Sequence, residues 1–402
     1  MFNVLRRAEV FNPKKGFLRN RHRFFTSISL KLDNKNEHSD YTELNTMYTD
    51  MFDSDKFKKE PGLNDKSELE ILNEETEELL TVKHSSLNST ELENCVRNDG
   101  TFVIRSSSNN PYYNLALEDY IFKHTPLKAT RPNNRLLFYI NDKCAVIGKN
   151  QNIWQELYVS EAERKGFEIL RRFSGGGTVI HDLGNVNYSF ITSREKFSRS
   201  FFNECIVKWL LESNQDLSIS LNSRSDIYFD GKKCSGSAFK IAKGKAYHHG
   251  TMLINSKLDS FNGILRPKNE KDIIWETNSV DSMRAEITNL PLETPERFID
   301  ICTNGFQKSF SDNEMNCLPL YYCSEDVTIN EEIQKTMHTL KSDRFKYLHG
   351  PKFKLKLPLT GDEFSVENGV IVNASSPEYK NMPFQNFVKC SNLMQPVYNG
   401  KF

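Results

Sequence analysis

The chain has 402 residues, which allows about two or three domains and a sizeable core. Its 53 Lys and Arg residues balance 53 Asp and Glu residues, so the overall charge gives no reason to expect nucleic-acid binding. A hydrophobic share of 38% is that of an ordinary globular protein, and no uninterrupted apolar run of about 18 residues predicts a membrane span. We therefore expect a globular protein that binds neither nucleic acid nor membrane, and local motifs must indicate its function.

The neutral total hides two N-terminal segments of opposite charge. Residues 1–31 carry eight Lys or Arg residues and one acid, Glu9, with apolar side chains between them. This pattern is typical of a mitochondrial transit peptide and predicts a protein of the mitochondrial matrix; a nucleic-acid-binding arm and a plain basic tail are the alternatives. Residues 32–80 carry 15 acids against five bases, so we predict an acidic, disordered linker over residues 32–95.

The folded part opens with a predicted helix. Asn110 is a typical N-cap, and Pro111 suits the first helical position because its missing N–H would have no helical partner there. Two short apolar runs follow, at residues 136–140 and 144–147, with three polar residues between them. That arrangement predicts a β-hairpin.

Downstream elements alternate in type without a regular strand–helix–strand order. The predicted elements are a strand over 186–191, a helix over 202–210, a strand over 251–254, a helix near 329–341 and strands near 353–357 and 370–373. The irregular mixture predicts an α+β domain with a mixed sheet over residues 96–315. The elements after Cys323 predict a small C-terminal domain over residues 316–402.

A glycine-rich loop carries the strongest chemical signal. Residues 171–182 read RRFSGGGTVIHD, with two arginines before three glycines. Glycines let the main chain approach a ligand closely, and exposed N–H groups can hold an anion or a developing oxyanion. A flexible surface loop is the alternative, but solvent linkers are usually rich in Ser and Gly rather than enclosed by Arg-Arg-Phe and Thr-Val-Ile.

Three further motifs accompany this loop in a fixed order. They are GKNQNIWQE at 148–156, DIY at 226–228 followed by GKKCSGSA at 231–238, and HHGTMLIN at 248–255. Together with the helix that begins NPYYNLALE at 110, they resemble the lipoate–protein ligase and lipoyltransferase family. The resemblance implies the mixed-sheet fold shared with biotin protein ligases and a C-terminal accessory domain. It also implies attachment of lipoyl or octanoyl groups to one lysine of a lipoyl domain.

The resemblance assigns roles to particular residues. Lys233 matches the catalytic cation of the family, where a compact positive charge stabilises the acyl oxygen and the leaving group. The implied substrate- and nucleotide-binding residues are Arg172, Gly175, Gly176, Gly177, Thr178, Val179, Ile180, Lys233, Gly236 and His249. Val179 and Ile180 would form an apolar wall for the acyl tail, or simply begin a core strand. His249 would shape the site or serve as a structural histidine.

The eight cysteines and the acidic residues give weaker signals. No C-x-x-C pair occurs, so we expect no zinc or redox site and no bound metal. Cys234 neighbours Lys233, which would suit a thioester nucleophile, but a buried core cysteine is the favoured interpretation. Asp182 and Asp226 are candidates to orient a general base.

One departure from the family concerns the loop that covers the adenylate. Ligase members carry Lys-Gly-Ile there, whereas residues 278–280 of this chain are Asn-Ser-Val. The change favours a lipoyltransferase that takes lipoyl-AMP, lipoyl-CoA or an acylated carrier protein and has no tightly bound cofactor. Two alternatives stay open: a complete ligase that uses ATP and Mg²⁺, and a non-catalytic protein that binds lipoyl domains.

The resemblance also implies the partners. We expect a monomer that acts on the lipoyl domains of dehydrogenase acyltransferase subunits and on the glycine cleavage H protein. Nucleic acid and membranes are not among the expected partners.

Overall fold

The structure, a computed structural model, describes residues 85–127, 132–268, 270–311 and 317–391. The predicted transit peptide and the predicted linker up to residue 84 lie outside these ranges. The described residues belong to one compact unit, Lys83–Phe402. Within them, no helix is long and apolar enough to cross a membrane.

The helices confirm one predicted start and correct one predicted linker. In the described ranges the α-helices are α1 (Ser89–Arg97), α2 (Pro111–His124), α3 (Ile153–Glu156), α4 (Val159–Arg164), α5 (Phe201–Ser213), α6 (Pro295–Phe310), α7 (Glu331–Lys341) and α8 (Phe384–Cys390). The side chain of Asn110 caps α2, with Pro111 as its first residue, as predicted. Helix α1 begins inside the range predicted to be disordered, because Asn88 and Glu91 form a capping box and Leu92 and Val96 are buried.

The strands are short and numerous. They are β1 (Phe102–Ser106), β2 (Arg135–Ile140), β3 (Cys144–Ile147), β4 (Glu168–Arg171), β5 (Val179–His181), β6 (Asn185–Ser193), β7 (Ile219–Leu221), β8 (Ile227–Phe229), β9 (Lys232–Lys233), β10 (Ser235–Ala242), β11 (Lys245–Leu253), β12 (Ile274–Thr277), β13 (Leu320–Cys323), β14 (Phe353–Leu357), β15 (Asp362–Glu367) and β16 (Val370–Ala374). A π-helix, Arg344–Leu348, and two short 3₁₀ segments, Leu258–Phe261 and Pro377–Tyr379, complete the regular structure of the described ranges.

The largest sheet is mixed, as predicted. Its strand order is β10-β11-β6-β2-β1-β13. Strand β1 pairs in parallel with β2 and β13, while β2, β6, β11 and β10 pair antiparallel in succession. The predicted hairpin of β2 and β3 is wrong. Strand β3 instead joins a separate three-stranded sheet of order β4-β3-β5, so the polar residues between β2 and β3 cross from one sheet to the other.

Both faces of the large sheet are covered. Along β2, Leu136 and Phe138 belong to a core with residues of α5 and α6, whereas Leu137 and Tyr139 belong to a core with residues of α1, α2 and α7. This alternation follows from the opposite directions of successive side chains in a strand. Buried charged groups between layers, such as Glu118 on α2, therefore need partners within the protein.

The C-terminal elements divide between two places. Strands β12, β14, β15 and β16 form an antiparallel sheet, and its apolar residues share a core with β3 and β4. Strand β13 pairs with β1 and helix α7 packs on α2, although both lie in the range 316–402. Strand β12 comes from the range 96–315 yet joins the C-terminal sheet. The predicted domain boundary near residue 315 stays a prediction.

Candidate active site

A cavity lies between the six-stranded sheet and strand β5. Strand register places Gly236, Thr251, Asn187 and Tyr139 in one row across β10, β11, β6 and β2. All four line the cavity because residues directly opposite one another in a sheet share a face. The sheet forms one side of the cavity, and the glycine loop with β5 forms the other.

Arg172 holds the glycine loop in shape. Its Nη2 donates to the carbonyl oxygens of Gly175 at 2.6 Å and Gly177 at 2.7 Å, its Nε to Ser174 Oγ at 2.9 Å, and its Nη1 to the carbonyl oxygen of Val146 at 3.0 Å. The side chain is 3% exposed, and burial lowers the pKa of Arg172 to about 10. Arg172 lines the cavity as predicted, but most of its donors serve the loop rather than a ligand.

At two glycines, Gly148 and Gly176, close approaches within the protein leave little or no room for a Cβ. Gly176 has a φ of +86°, and a Cβ there would lie 3.0 Å from the guanidinium of Arg172 and 3.2 Å from the Cβ of Ala238. A Cβ on Gly148 would lie 2.0 Å from the carbonyl oxygen of Gly176. Gly175 has open space around it. The expectation that these glycines leave room for a ligand is therefore corrected at Gly176, where the protein itself occupies that room.

Lys233 forms an ion pair at the cavity. Strands β8 and β9 make a hairpin around Asp230 and Gly231, both of which have positive φ, and Tyr228 pairs with Lys233. Asp226 lies two residues before Tyr228 and thus on the same face. The Nζ of Lys233 donates to Asp226 Oδ2 at 2.8 Å, and the lysine side chain is 18% exposed. The hairpin thereby holds a positive charge at a partly open position.

Buried polar residues form a network at the cavity near α2. The Nδ1 of His249 lies 3.0 Å from Glu118 Oε1, and its Nε2 lies 2.8 Å from the Oγ of Ser174. Burial and the charge of Glu118 raise the pKa values of Tyr139 and Tyr247 well above the usual range of a tyrosine. His249 lines the cavity as predicted, and its contacts link the helix α2 to the glycine loop.

An adjoining cavity is more apolar. Its walls include Ile180, Leu253 and Phe261, and it shares Val179 and Lys233 with the first cavity. Because successive residues of β5 point to opposite faces, Ile180 faces this second space. Val179 lines both cavities, so the two residues of the predicted apolar wall meet at the second cavity. Lys233 lies where the two meet, which suits an acyl group on one side and its leaving group on the other.

The covering segment, residues 278–284, is fixed over the glycine loop. Gln151 Nε2 donates to the Oγ of Ser282 at 3.0 Å, and the main-chain N–H of Thr178 donates to the same Oγ at 2.8 Å. The N–H of Ser282 donates to a carboxylate oxygen of Glu156 at 3.0 Å. One amide of the loop that was predicted to bind an anion is therefore already used by Ser282.

The structure also decides between the two interpretations of Cys234. Its side chain is fully buried in the core with α5 and α6, and its Sγ contacts the carbonyl oxygen of Ile227 at 3.4 Å. Burial raises the pKa of the Cys234 thiol to about 12, so the thiolate needed for a nucleophile is disfavoured. The two aspartates that were candidates to orient a general base differ: Asp226 pairs with Lys233, whereas Asp182 accepts from the N–H groups of Gly184 and Lys257 and closes a turn.

Most of the predicted site residues meet at these cavities. The first cavity is lined by Arg172, Gly177, Thr178, Val179, Lys233, Gly236 and His249, and the second by Ile180. Gly175 and Gly176 are not among the residues that line either cavity. Sequence reasoning missed Glu118, His181, Arg224 and Ser282. Glu118 and His181 stood inside the motifs, but only tertiary structure brings His181 to the cavity and Glu118 to His249. Across the described ranges no cluster of three or more metal-ligating side chains occurs.

Comparisons with known proteins agree with the geometry. The profile of the lipoyl protein ligase A/B catalytic domain matches residues 110–310. A Saccharomyces cerevisiae protein named for lipoate-protein ligase A is 45% identical to this chain over 366 residues. The alignment covers 87% of this chain and 89% of that protein. The lipoate-protein ligase LplJ of Bacillus subtilis is 32% identical, and the alignment covers 63% of this chain and 75% of that protein. A crystal structure of P. falciparum LipL1 in complex with lipoate superposes with a TM-score of 0.54 at 27% identity. The superposition covers 68% of this chain and 83% of the LipL1 chain.

Proposed function

Because the chain belongs to the lipoate–protein ligase and lipoyltransferase family of enzymes, we propose that it transfers a lipoyl or octanoyl group from a ready-made acyl donor to one lysine of a lipoyl domain. The observation that carries the proposal is Lys233, held by Asp226 where the two cavities meet. We further propose, as its acceptors, the lipoyl domains of dehydrogenase acyltransferase subunits and the glycine cleavage H protein.

The chemistry assigns a task to each group. The acceptor lysine's neutral amine attacks the acyl carbon and loses one proton to water or to the leaving group. An amide bond forms, and the leaving group departs with the electrons of the bond that breaks. Negative charge grows on the acyl oxygen in the transition state, and the ammonium of Lys233 stabilises it. Asp226 fixes the direction of that ammonium, while Arg172 and His249 keep the glycine loop and sheet at the spacing the acyl group needs.

The covering segment supports a donor that arrives already activated. A protein that makes an adenylate has to admit ATP and then shield the intermediate from water, which favours a mobile covering loop. Here Ser282 bonds to the glycine loop and to Gln151 and Glu156, and neither a lysine nor a glycine stands at residues 278–280. Lipoyl-AMP, lipoyl-CoA and an acylated carrier protein are the proposed donors. ATP and Mg²⁺ belong to the ligase alternative.

The test is a comparison of donors with the full chain and an apo-lipoyl domain. Separate reactions receive synthetic lipoyl-AMP, lipoyl-CoA, acylated H protein, or lipoate with ATP and Mg²⁺, and mass spectrometry measures the modified domain. A lipoyl domain whose target lysine is replaced by arginine is the control. We expect modification from at least one activated donor and much less from lipoate with ATP. Equal or faster modification in the ATP reaction would favour the alternative of a complete ligase. No modification in any reaction would favour the alternative of a non-catalytic protein that binds lipoyl domains.

We propose that the protein works in the mitochondrial matrix, on the support of the basic, acid-poor composition of residues 1–31. A fusion of residues 1–40 to a fluorescent reporter tests this. Mitochondrial import of the reporter is the expected result, and a cytosolic or nuclear reporter would contradict the proposal. A fusion in which the basic residues of this segment are replaced by glutamine serves as the matched control.

A further inference from the structure

Strand β10 is an unpaired edge of the six-stranded sheet. It stands at the end of the strand order, and it pairs with β11 over eight consecutive residue pairs without a register shift. The opposite edge is partly covered, because Ser86 forms a bridge with Tyr322 of β13 and the N–H of Leu87 donates to the carbonyl oxygen of Tyr322 at 2.8 Å. In the described ranges, no segment covers the outer edge of β10 in this way.

The turn after β10 determines which of its main-chain groups face outward. Lys243 and Gly244 form a two-residue turn in which both have positive φ, the geometry of a type I′ hairpin. The flanking residues Ala242 and Lys245 therefore form a hydrogen-bonded pair. Hydrogen-bonded and outward positions alternate along an antiparallel strand, so every second residue before Ala242 turns its main-chain N–H and C=O away from β11.

The outward positions of β10 lack the features that usually protect an edge. These positions are Ser237, Phe239 and Ile241. Among the residues that the structure describes, their main-chain N–H groups have no acceptor. Sheet edges are usually blunted by a charge, a proline or a bulge, and the outward positions have none of these. The charged residue of the strand, Lys240, donates instead to Asp119 of α2 at 2.8 Å.

This edge runs to the first cavity. Ala238 of β10 lines that cavity. The Nδ2 of Asn203 donates to the carbonyl oxygen of Ser225 at 2.6 Å and to the Oγ of Ser237 at 3.1 Å. The loop that precedes Ser225 therefore lies beside the outward position Ser237. Arg224 of this loop is exposed and also lines the cavity, so the cavity meets solvent at the same edge.

A strand added to β10 would bring a side chain to this opening. Neighbouring strands lie about 4.8 Å apart, and residues directly opposite one another share a face. A lysine opposite Ala238 would therefore point to the cavity face of the sheet. The flexible four-carbon stem of a lysine would carry its amine toward Lys233. Main-chain hydrogen bonds to the edge would supply affinity without requiring particular side chains in the added strand.

We propose that the outward edge of β10, residues 237–241, is the docking site of the acceptor lipoyl domain, which adds an extended segment carrying its target lysine to the six-stranded sheet. This inference rests on the proposed function, because that function requires a protein lysine to reach Lys233. The edge is unpaired and ends at the cavity, so it offers both a place to bind and a route for the lysine. A second copy of this chain on the same edge would block that route.

The test uses proline, which removes a main-chain N–H and is tolerated on an edge strand where that N–H faces solvent. Ile241→Pro is the test variant, because Ile241 is 44% exposed. Ile241→Ala loses the same side chain but keeps the N–H, and is the matched control. Urea unfolding checks that both variants fold. Calorimetry with an apo-lipoyl domain gives the Kd of the domain, and steady-state transfer from lipoyl-AMP gives kcat and the KM of the domain.

We expect Ile241→Pro to raise the Kd and the KM of the domain about 10-fold, since it loses a hydrogen bond and its ring obstructs pairing. Its kcat and its affinity for lipoate should stay unchanged. Ile241→Ala should stay within about 2-fold of the wild type. An unchanged KM in Ile241→Pro, or an equal rise in both variants, would overturn the inference.

Amide hydrogen exchange of the wild type needs no variant. The apo-lipoyl domain should slow exchange at Phe239 and Ile241, and leave exchange at Lys240 unchanged because its N–H already faces β11. Exchange that stays fast at both outward amides would contradict docking at this edge. Sedimentation of the free protein tests the other occupant: a dimer that Ile241→Pro dissociates would assign the edge to a second copy and overturn the inference.

Transfer activity separates this inference from the proposed function. Transfer to the domain with an unchanged KM in Ile241→Pro contradicts the inference alone. Binding of the domain that slows exchange at Phe239 and Ile241, without transfer from any donor, contradicts the proposed function alone.

Discussion

The glycine wall of the cavity, residues 172–181, differs from the lysine wall, residues 224–236, in what its polar groups contact. In the glycine wall, Arg172 is buried and bonds to its own loop, and His181 is buried and neutral. In the lysine wall, Lys233 is partly exposed and has one partner, Asp226. The comparison teaches that the most conspicuous motif of the sequence builds the walls of the site, whereas the proposed chemistry depends on a less conspicuous hairpin. Variants in the glycine wall should therefore change stability first, and variants in the lysine wall should change rate first.

The largest effect should follow from Lys233→Met. Loss of one preorganised group that stabilises an oxyanion typically lowers the rate about 100- to 1000-fold. Stability should fall less than in Arg172→Met, because methionine has a similar length and the substitution leaves one carboxylate, that of Asp226, without its ion pair. Single-turnover transfer from lipoyl-AMP gives the rate, and urea unfolding gives the stability. Lys232→Met is the matched control, since Lys232 is exposed and points away. If the Lys233→Met protein kept more than about a tenth of the wild-type rate, the proposed catalytic role of Lys233 would be wrong.

Arg172→Met should produce the opposite pattern. The substitution leaves the carbonyl oxygens of Gly175, Gly177 and Val146 without their buried donor, so we expect the free energy of unfolding to fall by about 2–4 kcal/mol. Urea unfolding measures it. Arg172→Lys should recover only part of the loss, because an ammonium cannot reproduce the guanidinium fork. If Arg172→Met kept full stability and lost only rate, the contrast between the two walls would be wrong.

A pair of neighbouring glycines sharpens the same contrast. Gly176→Ala should destabilise the protein by about 1–2 kcal/mol, because the φ of +86° is costly for a residue with a Cβ. Gly175→Ala should be close to neutral, since a Cβ there has open space. Thermal unfolding of both variants, measured side by side, gives the difference. Equal effects at the two positions would show that the loop has a different conformation in solution.

The most gradual effect concerns pH. Burial lowers the pKa of His181 and of His248 to about 3, below the ordinary value of 6.5. Between these values the unfolded chain binds more protons than the folded one, so stability falls as the pH decreases from about 6.5 toward 4. His181→Phe should flatten this slope by up to about 1.4 kcal/mol per pH unit. Urea unfolding between pH 7 and 4 measures it. His338→Asn, an exposed control, should leave the slope unchanged.

Local signals account for what the sequence predicted and what it missed. The cap of α2 was predictable because Asn110 and Pro111 act on their own helix. The pairing of β2 and β3 was predicted wrongly, because each strand pairs with strands distant in the sequence, in a different sheet, and the local sequence does not indicate those partners. The hairpin that brings Asp226 to Lys233 had a usable signal in Asp230-Gly231, a dipeptide that favours a tight turn. The contacts of His181 and Glu118 depend on tertiary packing, and no motif or residue spacing in the sequence predicts them.

The most direct test of the account is whether the protein activates lipoate by itself. Lipoate-dependent exchange of labelled pyrophosphate into ATP reports formation of lipoyl-AMP, apart from any transfer step. Wild-type protein with Mg²⁺ should show no exchange above a lipoate-free control, while the same preparation transfers the lipoyl group of synthetic lipoyl-AMP to an apo-lipoyl domain. The variant Asn278→Lys/Ser279→Gly shows whether the covering segment limits activation. Lipoate-dependent exchange by the wild type at a rate comparable with transfer would contradict the account.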